Sequence, residues 1–236
     1  MKNIFNILLN ELDNYIQKKN IDVLKKNLNK NLALYVDVGS HYGEMIKTIS
    51  NEFNVKKIFA FEPNPACISS LKNLNQNNVK IFQTALGEKN GIAHLNIGYI
   101  SSMSTINNLN YESFYTKIKK LVIRLFYLRN TIYRNKIKVK KSLLFNILKK
   151  NKVKKIDLIK IDTEGHEFNV LKGLRNYIKK TNLVLLEYHY DDSLIKNYNF
   201  EKLNLFFIKN NFKLISKNKM LLRKGFELIY KNLKNY

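Results

Sequence analysis

The stretch "IDLIKIDTEGHEFNVLKG", residues 156–173, decides the fold of this chain. Its first six residues are mostly apolar and predict a buried strand, and the residues from Glu167 onward predict a helix. Asp162, Glu164 and Glu167 are gathered around the turn between them. In open parallel sheets, ligands bind beyond the carboxyl ends of the strands. These acids therefore stand where such a sheet places its functional site.

The same alternation of strand and helix extends in both directions from this stretch. Buried strands are predicted in "NLALYVDVG", "KKIFAFEPNP", "VKIFQTALGE" and "NLVLLEYH", with helices between them, and "GIAHLNIG" alternates like a further strand. "FKLIS" and "GFELIYK" predict an antiparallel hairpin near the C-terminus, and residues 1–30 predict a helical segment. We therefore expect a single α/β domain over residues 1–236, with a doubly wound, mostly parallel sheet and right-handed crossovers.

The chain is strongly basic. It carries 42 Lys and Arg against 18 Asp and Glu, a formal net charge of +24. Such a charge favours nucleic acid, anionic lipid or acidic glycans as partners. Lys and Asn are abundant throughout, including loops such as "NLNQNN", so a general compositional bias accounts for much of the charge equally well.

Cysteine content and hydropathy place limits on the environment of the chain. The single cysteine, Cys67, excludes an intrachain disulfide and a cysteine-based metal cluster, which fits a reducing cytosol. The N-terminal residues are too interrupted by Asn, Glu and Asp for a signal peptide. No stretch approaches the roughly 18 uninterrupted apolar residues of a membrane span. We expect a soluble, cytoplasmic protein, with peripheral membrane contact left open.

One segment, residues 111–141, interrupts the alternation of strands and helices. Its part "FYTKIKKLVIRLFYLRNTIYRNKIKVKK" is basic and rich in aromatic residues, and most of its basic residues lie off the apolar face. We predict an inserted amphipathic helix, which could be a cap packed on the domain, a membrane-surface contact or a substrate lid. The predicted apolar face consists of Phe114, Ile118, Leu121, Val122, Leu125 and Ile132.

A glycine turn and an acid at the next strand end predict a nucleoside site. In "VDVGSHYGE", Asp37 ends a strand, and Gly39 and Gly43 bracket the turn into a helix, whose N-terminus favours anionic groups. The spacing differs from the G-x-G-x-x-G of an NAD site. Glu62 follows 23 residues after Gly39, where an acid can accept hydrogen bonds from both hydroxyls of a ribose. This pair predicts an adenosine group, and S-adenosylmethionine fits.

Six motifs together carry a resemblance to a known family. "VDVGSHYGE", "FEPNP", "TALGEKNG", "SSMSTI", "IDLIKIDTEGHEFNVLKG" and "LLEYH" occur in the order seen in FkbM-type methyltransferases, so residues 33–190 resemble that family. The resemblance implies a class I, Rossmann-like fold that binds S-adenosylmethionine. It also implies O-methylation of a hydroxyl on a sugar, glycolipid or secondary metabolite.

The resemblance assigns cofactor contacts position by position. Glu62 corresponds to the ribose acid, and Ala85 lies where the third strand would approach the adenine. His41 stands where many members carry Asn, and Leu144 stands where members often have an acid. The cofactor-binding residues implied in this way are Asp37, Gly39, Ser40, His41, Gly43, Glu62 and Ala85.

The catalytic residues are expected at the ends of two neighbouring strands. Asp162 would face the methionine end of the cofactor, opposite His189. Period-two alternation puts Glu187 and His189 on one face of their strand. We predict that His189 is the general base, oriented by Glu187, while Asp162 positions cofactor and acceptor. His189 could instead be a structural histidine.

Two further assignments concern metal and the other acids of the turn. We predict no resident metal, and a divalent ion held by Asp162, Glu187 and His189 is the less favoured alternative. Glu167 is interpreted as a cap at the N-terminus of the following helix, where an acid complements the helix dipole. For Glu164 the capping role and a role in the site are both open.

These observations predict an S-adenosylmethionine-dependent methyltransferase acting on a hydroxyl of a sugar, glycan or glycolipid. Methylation of RNA is an alternative encouraged by the charge, but the sequence shows no RNA-recognition motif, and we do not expect nucleic acid as a partner. A non-catalytic membrane-surface or nucleic-acid binder that kept the fold is a third possibility. The glycine turn and Glu62 argue against it.

Overall fold

The structure is a computed structural model that describes residues 2–221 and 223–234, with side chains from Tyr15 onward in those ranges. The helices are α1 Lys2–Asn27, α2 Glu44–Glu52, α3 Pro65–Lys72, α4 Phe114–Tyr127, α5 Leu144–Lys150, α6 Glu167–Leu174 and α7 Phe200–Lys209. The strands are β1 Asn31–Leu32, β2 Tyr35–Val38, β3 Asn54–Val55, β4 Ile58–Phe61, β5 Val79–Phe82, β6 Ala85–Gly87, β7 Gly91–Gly98, β8 Tyr133–Leu143, β9 Ile156–Ile161, β10 Thr181–His189, β11 Phe212–Lys219 and β12 Gly225–Asn232. Short 3₁₀ turns cover Ser101–Met103 and Arg175–Lys180.

A seven-stranded sheet forms the centre of the molecule, in the order β11-β12-β10-β9-β2-β4-β5. The five strands from β10 to β5 are parallel to one another, and β11 and β12 form an antiparallel hairpin at one edge, where β12 pairs antiparallel with β10. The predicted doubly wound, mostly parallel sheet with its C-terminal hairpin is confirmed. In register, Val38 lies beside Ile161 and Ile161 beside Leu186, so the carboxyl ends of β2, β9 and β10 meet.

Both faces of the central sheet are covered by helices. Successive side chains of a strand point to opposite faces, so Val36 packs with α5, α6 and α7 while its neighbour Tyr35 packs with α1, α2 and α3. Every residue of β10 is buried, which is why that strand is an almost continuous apolar run rather than an alternating one. The sandwich leaves the carboxyl ends of the strands as the accessible edge.

A small second sheet, β6-β8-β7, lies beside this edge, and its strands correct two predictions. "VKIFQTALGE" is not one strand, because β5 joins the central sheet and β6 joins the small one. The chain divides at Thr84, whose hydroxyl donates to the carbonyl of Lys140 and contacts Ser142 Oγ. The hydroxyl thereby satisfies polar groups of β8 where the backbone changes sheets.

The inserted segment 111–141 is helical only in its first half. Helix α4 ends at Tyr127 and is followed by Leu128 in a left-handed conformation. The residues from Tyr133 to Lys141 belong to strand β8, so the prediction of a helix through Lys141 is wrong. The cause is a period-two pattern: Ile137 and Val139 pack against the small sheet, while Lys136, Lys138 and Lys140, which alternate with them, are exposed.

Helix α4 lies over the loops at the carboxyl edge. Ser113 caps its N-terminus by accepting hydrogen bonds from the backbone N–H groups of Tyr115 and Thr116. Thr116 and Ile123 are buried on the side that faces the domain. Among the described residues, every helix is too short or too polar to cross a membrane.

Candidate active site

A cavity of about 710 Å³ opens at the carboxyl ends of β2, β4, β9 and β10. Its size is within the range of pockets that hold a cofactor or drug-sized ligand. The turn after β2 and the end of β4 form one side, and the turn after β9 and the end of β10 form the other. The serine-rich loop after β7 and Tyr127 of α4 complete the wall.

The turn after β2 is tightly packed against β9 at Gly39. Gly39 has φ +77°, and its N–H donates to the carbonyl of Phe61 over 2.9 Å. A Cβ atom at this position would lie 1.8 Å from the carbonyl oxygen of Asp162. Only glycine fits this close approach, and the loop therefore presents backbone rather than side chain to the cavity.

Glu62 lies at the end of β4 with its carboxylate directed by two backbone groups. One oxygen accepts from the N–H of His41 and the other from the N–H of Asn64, each over 2.8 Å. Burial raises the pKa of Glu62, and the two N–H donors oppose this shift. Because a carboxylate oxygen has two lone pairs, each oxygen retains one for a hydroxyl group in the cavity, as the ribose assignment requires.

His41 connects the glycine turn with the serine-rich loop. Its Nδ1 lies 2.9 Å from Glu44 Oε1, and its Nε2 lies 2.8 Å from Ser101 Oγ. Ser40 donates its hydroxyl to the carbonyl of Asp37 over 3.0 Å and so closes the turn from inside. The His41 imidazole thus links two loops of the site, at a position for which the resemblance predicted no definite contact.

Asp37 and Ala85 have different positions relative to the cavity. Ala85 lines it, with Thr84 and Leu86 beside it. The Asp37 side chain is fully buried below the turn and is not among the described residues that line the cavity. Burial raises the pKa of Asp37 to about 6, although Lys160 opposes the shift. The predicted contact between Asp37 and a cofactor is therefore an indirect one, through the turn that it supports.

Asp162 is held by Lys160, a half-buried lysine that was not among the predicted site residues. Lys160 donates to Asp162 Oδ2 over 3.0 Å and to the carbonyl of Gly39 over 3.2 Å. Burial raises the pKa of Asp162, but the charge of Lys160 and the hydrogen bonds from Glu187 and Lys160 together outweigh this effect, and the pKa is lowered. Asp162 therefore stays ionised. A lysine inside an apolar strand needs a charged partner, and this signal is visible in "LIKID".

Glu187, His189 and Glu164 form a buried charged cluster at the end of β10. His189 Nε2 lies 2.8 Å from Glu187 Oε1 and 3.6 Å from Glu164 Oε2, and its Nδ1 lies 3.7 Å from Asp191 Oδ2. Burial disfavours the charged imidazole, but Glu164 and Glu187 outweigh this effect and raise the pKa of His189 to about 10. Burial, with the charge of Asp162 as the next cause, raises the pKa of Glu187 to about 8.

The predicted shared face of Glu187 and His189 is observed, but the two residues differ in access. Asp162, Glu164 and Glu187 line the cavity, whereas His189 is not among the described residues that do. His189 is also the protonated partner at neutral pH, because its pKa is raised. Glu187 therefore lies at the cavity, and His189, the predicted base, lies behind it.

Glu164 and Glu167, adjacent in the turn, have separate tasks. Glu167 lies in the first turn of α6, as predicted, but its Oε1 accepts from the N–H groups of Thr163 and Gly165 in the preceding turn, over 3.0 and 2.9 Å, and the helix has no side-chain cap. Glu164 has φ +50° and directs its carboxylate to His189. The Thr105 hydroxyl donates to its carbonyl over 2.7 Å. Glu164 is the site residue that the sequence left open.

The same cluster has the composition of a cation site. Glu164, Glu187 and His189 each offer one ligand atom, and these atoms lie within 4.8 Å of one another. Glu164 takes the place that the sequence-based alternative gave to Asp162. A metal ligand must be a neutral imidazole, and the two carboxylates at Nε2 hold His189 in its charged form. A cation bound by these three residues would have to displace the Nε2 proton of His189.

Comparison with known proteins gives matches at the level of family and fold. The profile of the Methyltransferase FkbM domain matches residues 37–214. The chain is 26% identical over 155 residues to the hexuronic acid methyltransferase AglP of Haloferax volcanii, an alignment that covers 65% of this chain and 54% of that protein. The chain thus spans about half the length of this curated relative.

Two solved structures have the same fold. The crystal structure of methyltransferase FkbM from Methylobacillus flagellatus superposes with a TM-score of 0.53 and 13% identity, covering 86% of this chain and 44% of that one. M. capricolum TrmK, solved with S-adenosylhomocysteine, superposes with a TM-score of 0.50 and 12% identity, covering 92% and 69%. The architecture is that of a class I methyltransferase.

Proposed function

The chain belongs to the FkbM methyltransferase family, and from this premise we propose that it methylates a hydroxyl group of a sugar, glycan or glycolipid. The family uses S-adenosylmethionine. The observation that carries the proposal is Glu187, a buried carboxylate with a raised pKa on the cavity wall, paired with His189. A base of this kind is what an alcohol acceptor needs and what a binding module does not.

The residues of the cavity fit the cofactor. Gly39 leaves the turn free of side-chain atoms, and Glu62 keeps two lone pairs for the ribose hydroxyls. Ser40 and Ala85 line the space between these groups and the small sheet. Bound S-adenosylmethionine would supply an activated methyl group on its sulfonium sulfur.

Glu187 is the proposed proton acceptor. As the acceptor oxygen bonds to the methyl carbon, the carbon–sulfur bond breaks, its electron pair stays on sulfur, and the hydroxyl proton passes to the Glu187 carboxylate. A carboxylate with a pKa of about 8 is well matched to this role near neutral pH. His189 positions Glu187 through their 2.8 Å contact, and Asp162 supplies fixed negative charge beside the reacting groups.

A hydroxyl acceptor on a carbohydrate fits the polarity of the cavity. The loop after β7 contributes the hydroxyls of Ser101, Ser102 and Ser104 to the wall, and hydroxyl groups suit a polar acceptor. The relative AglP is a hexuronic acid methyltransferase, which supports a sugar acceptor here. The acids Asp162, Glu164 and Glu187 would repel a carboxylate at the transfer point, so we assign transfer to a hydroxyl and not to a carboxyl group.

The test is methyl transfer from S-adenosylmethionine labelled in its methyl group to a panel of hexosides and hexuronosides. We expect labelled product and S-adenosylhomocysteine in equal amounts. Glu187→Gln keeps the shape of the side chain and removes the base, so turnover should fall by about 10²- to 10⁴-fold while cofactor affinity is unchanged. The exposed acid Glu201 of α7 offers the matched control, Glu201→Gln.

Two outcomes would contradict the proposal. A product whose label is released by mild alkali would be a methyl ester, because a methyl ether survives such treatment. Full turnover in Glu187→Gln would remove Glu187 as the base. A chelator in the assay distinguishes the ion pair from a bound cation. If Glu187 and His189 act as an ion pair without a cation, the chelator should not lower turnover.

A further inference from the structure

Helix α4 presents a stripe of apolar side chains to solvent. These residues recur every three or four positions, and at 100° per residue they fall within one narrow sector of the helix. A free apolar stripe of this kind marks an interaction surface. We call it the α4 stripe, and its members and exposed fractions are Phe114 74%, Ile118 38%, Leu121 55% and Leu125 60%; Leu128, directly after the helix, is 84% exposed.

Basic residues flank the α4 stripe on one side. Lys117, Lys120 and Arg124 are exposed, and at 100° per residue they lie between the stripe and the buried face. The helix contains no acidic residue. An apolar stripe with a basic border is the pattern of a helix that lies in a membrane interface.

The opposite face of α4 is held firmly on the domain. The Thr116 hydroxyl donates to the carbonyl of Ser193 over 3.4 Å, and Lys119 Nζ donates to Ser193 Oγ over 2.9 Å. Ser113 Oγ donates to the carboxylate of Asp192, and Ile123 is 1% exposed. Turning the stripe inward would break these contacts. The stripe therefore stays on the surface. The predicted cap packed on the domain describes only the opposite face of α4.

We propose that the α4 stripe docks on an anionic bilayer, with α4 lying in the headgroup region. Charge complementarity selects this occupant: the flanking cations attract anionic lipid, and the whole chain carries a net charge of +24. A second copy of the chain is the poorer partner. Two stripes face to face would bring the basic borders of both copies together under a large mutual repulsion.

This orientation brings the cavity close to the bilayer. Tyr127 projects from the face of α4 opposite the stripe and lines the cavity. One helix diameter, about 10 Å, therefore separates the membrane-facing stripe from the cavity wall. A docked enzyme would reach acceptors that are anchored in the lipid. The docking rests on the geometry of α4 alone and stands whichever acceptor the enzyme uses.

Vesicle flotation of the full chain tests the docking. The probes are vesicles of phosphatidylcholine with about a third phosphatidylglycerol, and vesicles of phosphatidylcholine alone. We expect binding to the anionic vesicles at low salt, weakening as salt rises. Leu121→Gln/Leu125→Gln should weaken this binding by about tenfold or more. Lys117→Gln/Lys120→Gln/Arg124→Gln should weaken it by about fivefold per charge.

The matched control replaces two exposed apolar residues of another helix. Leu205 and Ile208 of α7 are 47% and 56% exposed, so Leu205→Gln/Ile208→Gln changes surface hydropathy equally and should bind like the wild type. Absence of binding to anionic vesicles at low salt would overturn the proposal. So would equal binding of the Leu121→Gln/Leu125→Gln variant, or a wild-type dimer that this variant dissociates, since the stripe would then be a contact between copies.

Discussion

The two walls of the cavity are built from different kinds of chemical group. The glycine wall, Gly39 to Gly43 with Glu62, uses backbone groups and a single carboxylate. The acidic wall, Asp162, Glu164 and Glu187 with His189 behind it, is built from buried and half-buried charged side chains. The glycine wall therefore depends on shape, and the acidic wall depends on charge. Substitutions that change one property and keep the other should separate the two.

The largest expected effect is on the acidic wall, at His189. His189→Ala removes the imidazolium that positions Glu187, so turnover at neutral pH should fall by about 10²- to 10⁴-fold, with cofactor affinity nearly unchanged. Glu187 accepts a proton only when ionised, so the wild-type rate should rise with pH through about 8. The charge of His189 lowers the pKa of Glu187, so the rising limb of the variant should move to higher pH.

The pH profile distinguishes positioning from a merely structural role. His94, an exposed histidine of β7, provides the control His94→Ala, which should leave both rate and profile unchanged. If the His189→Ala enzyme kept full turnover and the rising limb of its pH–rate profile did not shift, Glu187 would act as the base without His189.

The next effect is on the glycine wall, at Gly39. In Gly39→Ala the added methyl group meets the backbone of Asp162, so we expect the free energy of unfolding to fall by about 1–3 kcal/mol and cofactor affinity to fall with it. Gly91→Ala is the matched control, because φ is also positive there but nothing lies within 4 Å of the added atom. Denaturant titration measures the free energy of unfolding of the two variants, and calorimetry measures their cofactor affinity. Equal losses in the two variants would attribute the effect to backbone strain and not to the close approach.

An effect of similar size, confined to cofactor binding, is expected at Glu62, the one charge of the glycine wall. Glu62→Ala removes charge-assisted hydrogen bonds to the ribose, worth about 1.5–3 kcal/mol, which weakens binding of S-adenosylhomocysteine by about 10- to 100-fold. Calorimetry on this variant and on Glu112→Ala, an exposed acid, gives the comparison. An unchanged dissociation constant would place the ribose elsewhere.

The glycine wall and the sheet were accessible from sequence because their signals are local. A turn between a buried strand and a helix needs glycine, and the strand ends follow from apolar runs such as "NLVLLEYH". The depth of Asp37 had no such signal, because "VDVG" reads the same whether the acid faces the ligand or lies beneath the turn. In the folded sheet Asp37 lies beside Lys160 of β9, whose charge opposes the effect of burial on the pKa of Asp37.

The acidic wall and the inserted segment were less accessible because their outcome depends on distant partners. At the end of β10, Glu187 lies at the cavity and His189 lies behind it. This arrangement includes Glu164, which follows another strand, β9, and contacts His189. In the insertion, helical spacing and period-two alternation overlap around Ile132. The strand formed because β6 and β7 offer pairing partners for β8, and these interactions override local periodicity.

The pairing of β2 with β9 also determines how freely this enzyme can change. Tyr35 lies beside Leu158 in the sheet, so the two central strands close a loop of 123 residues that contains α4 and the whole small sheet. Loop-closure entropy grows only as the logarithm of length, so inserting 20 to 30 residues in this loop adds a few tenths of a kcal/mol or less to the cost of folding. The segment that faces the outside can therefore lengthen, shorten or change its chemistry over evolutionary time while both walls of the cavity keep their geometry.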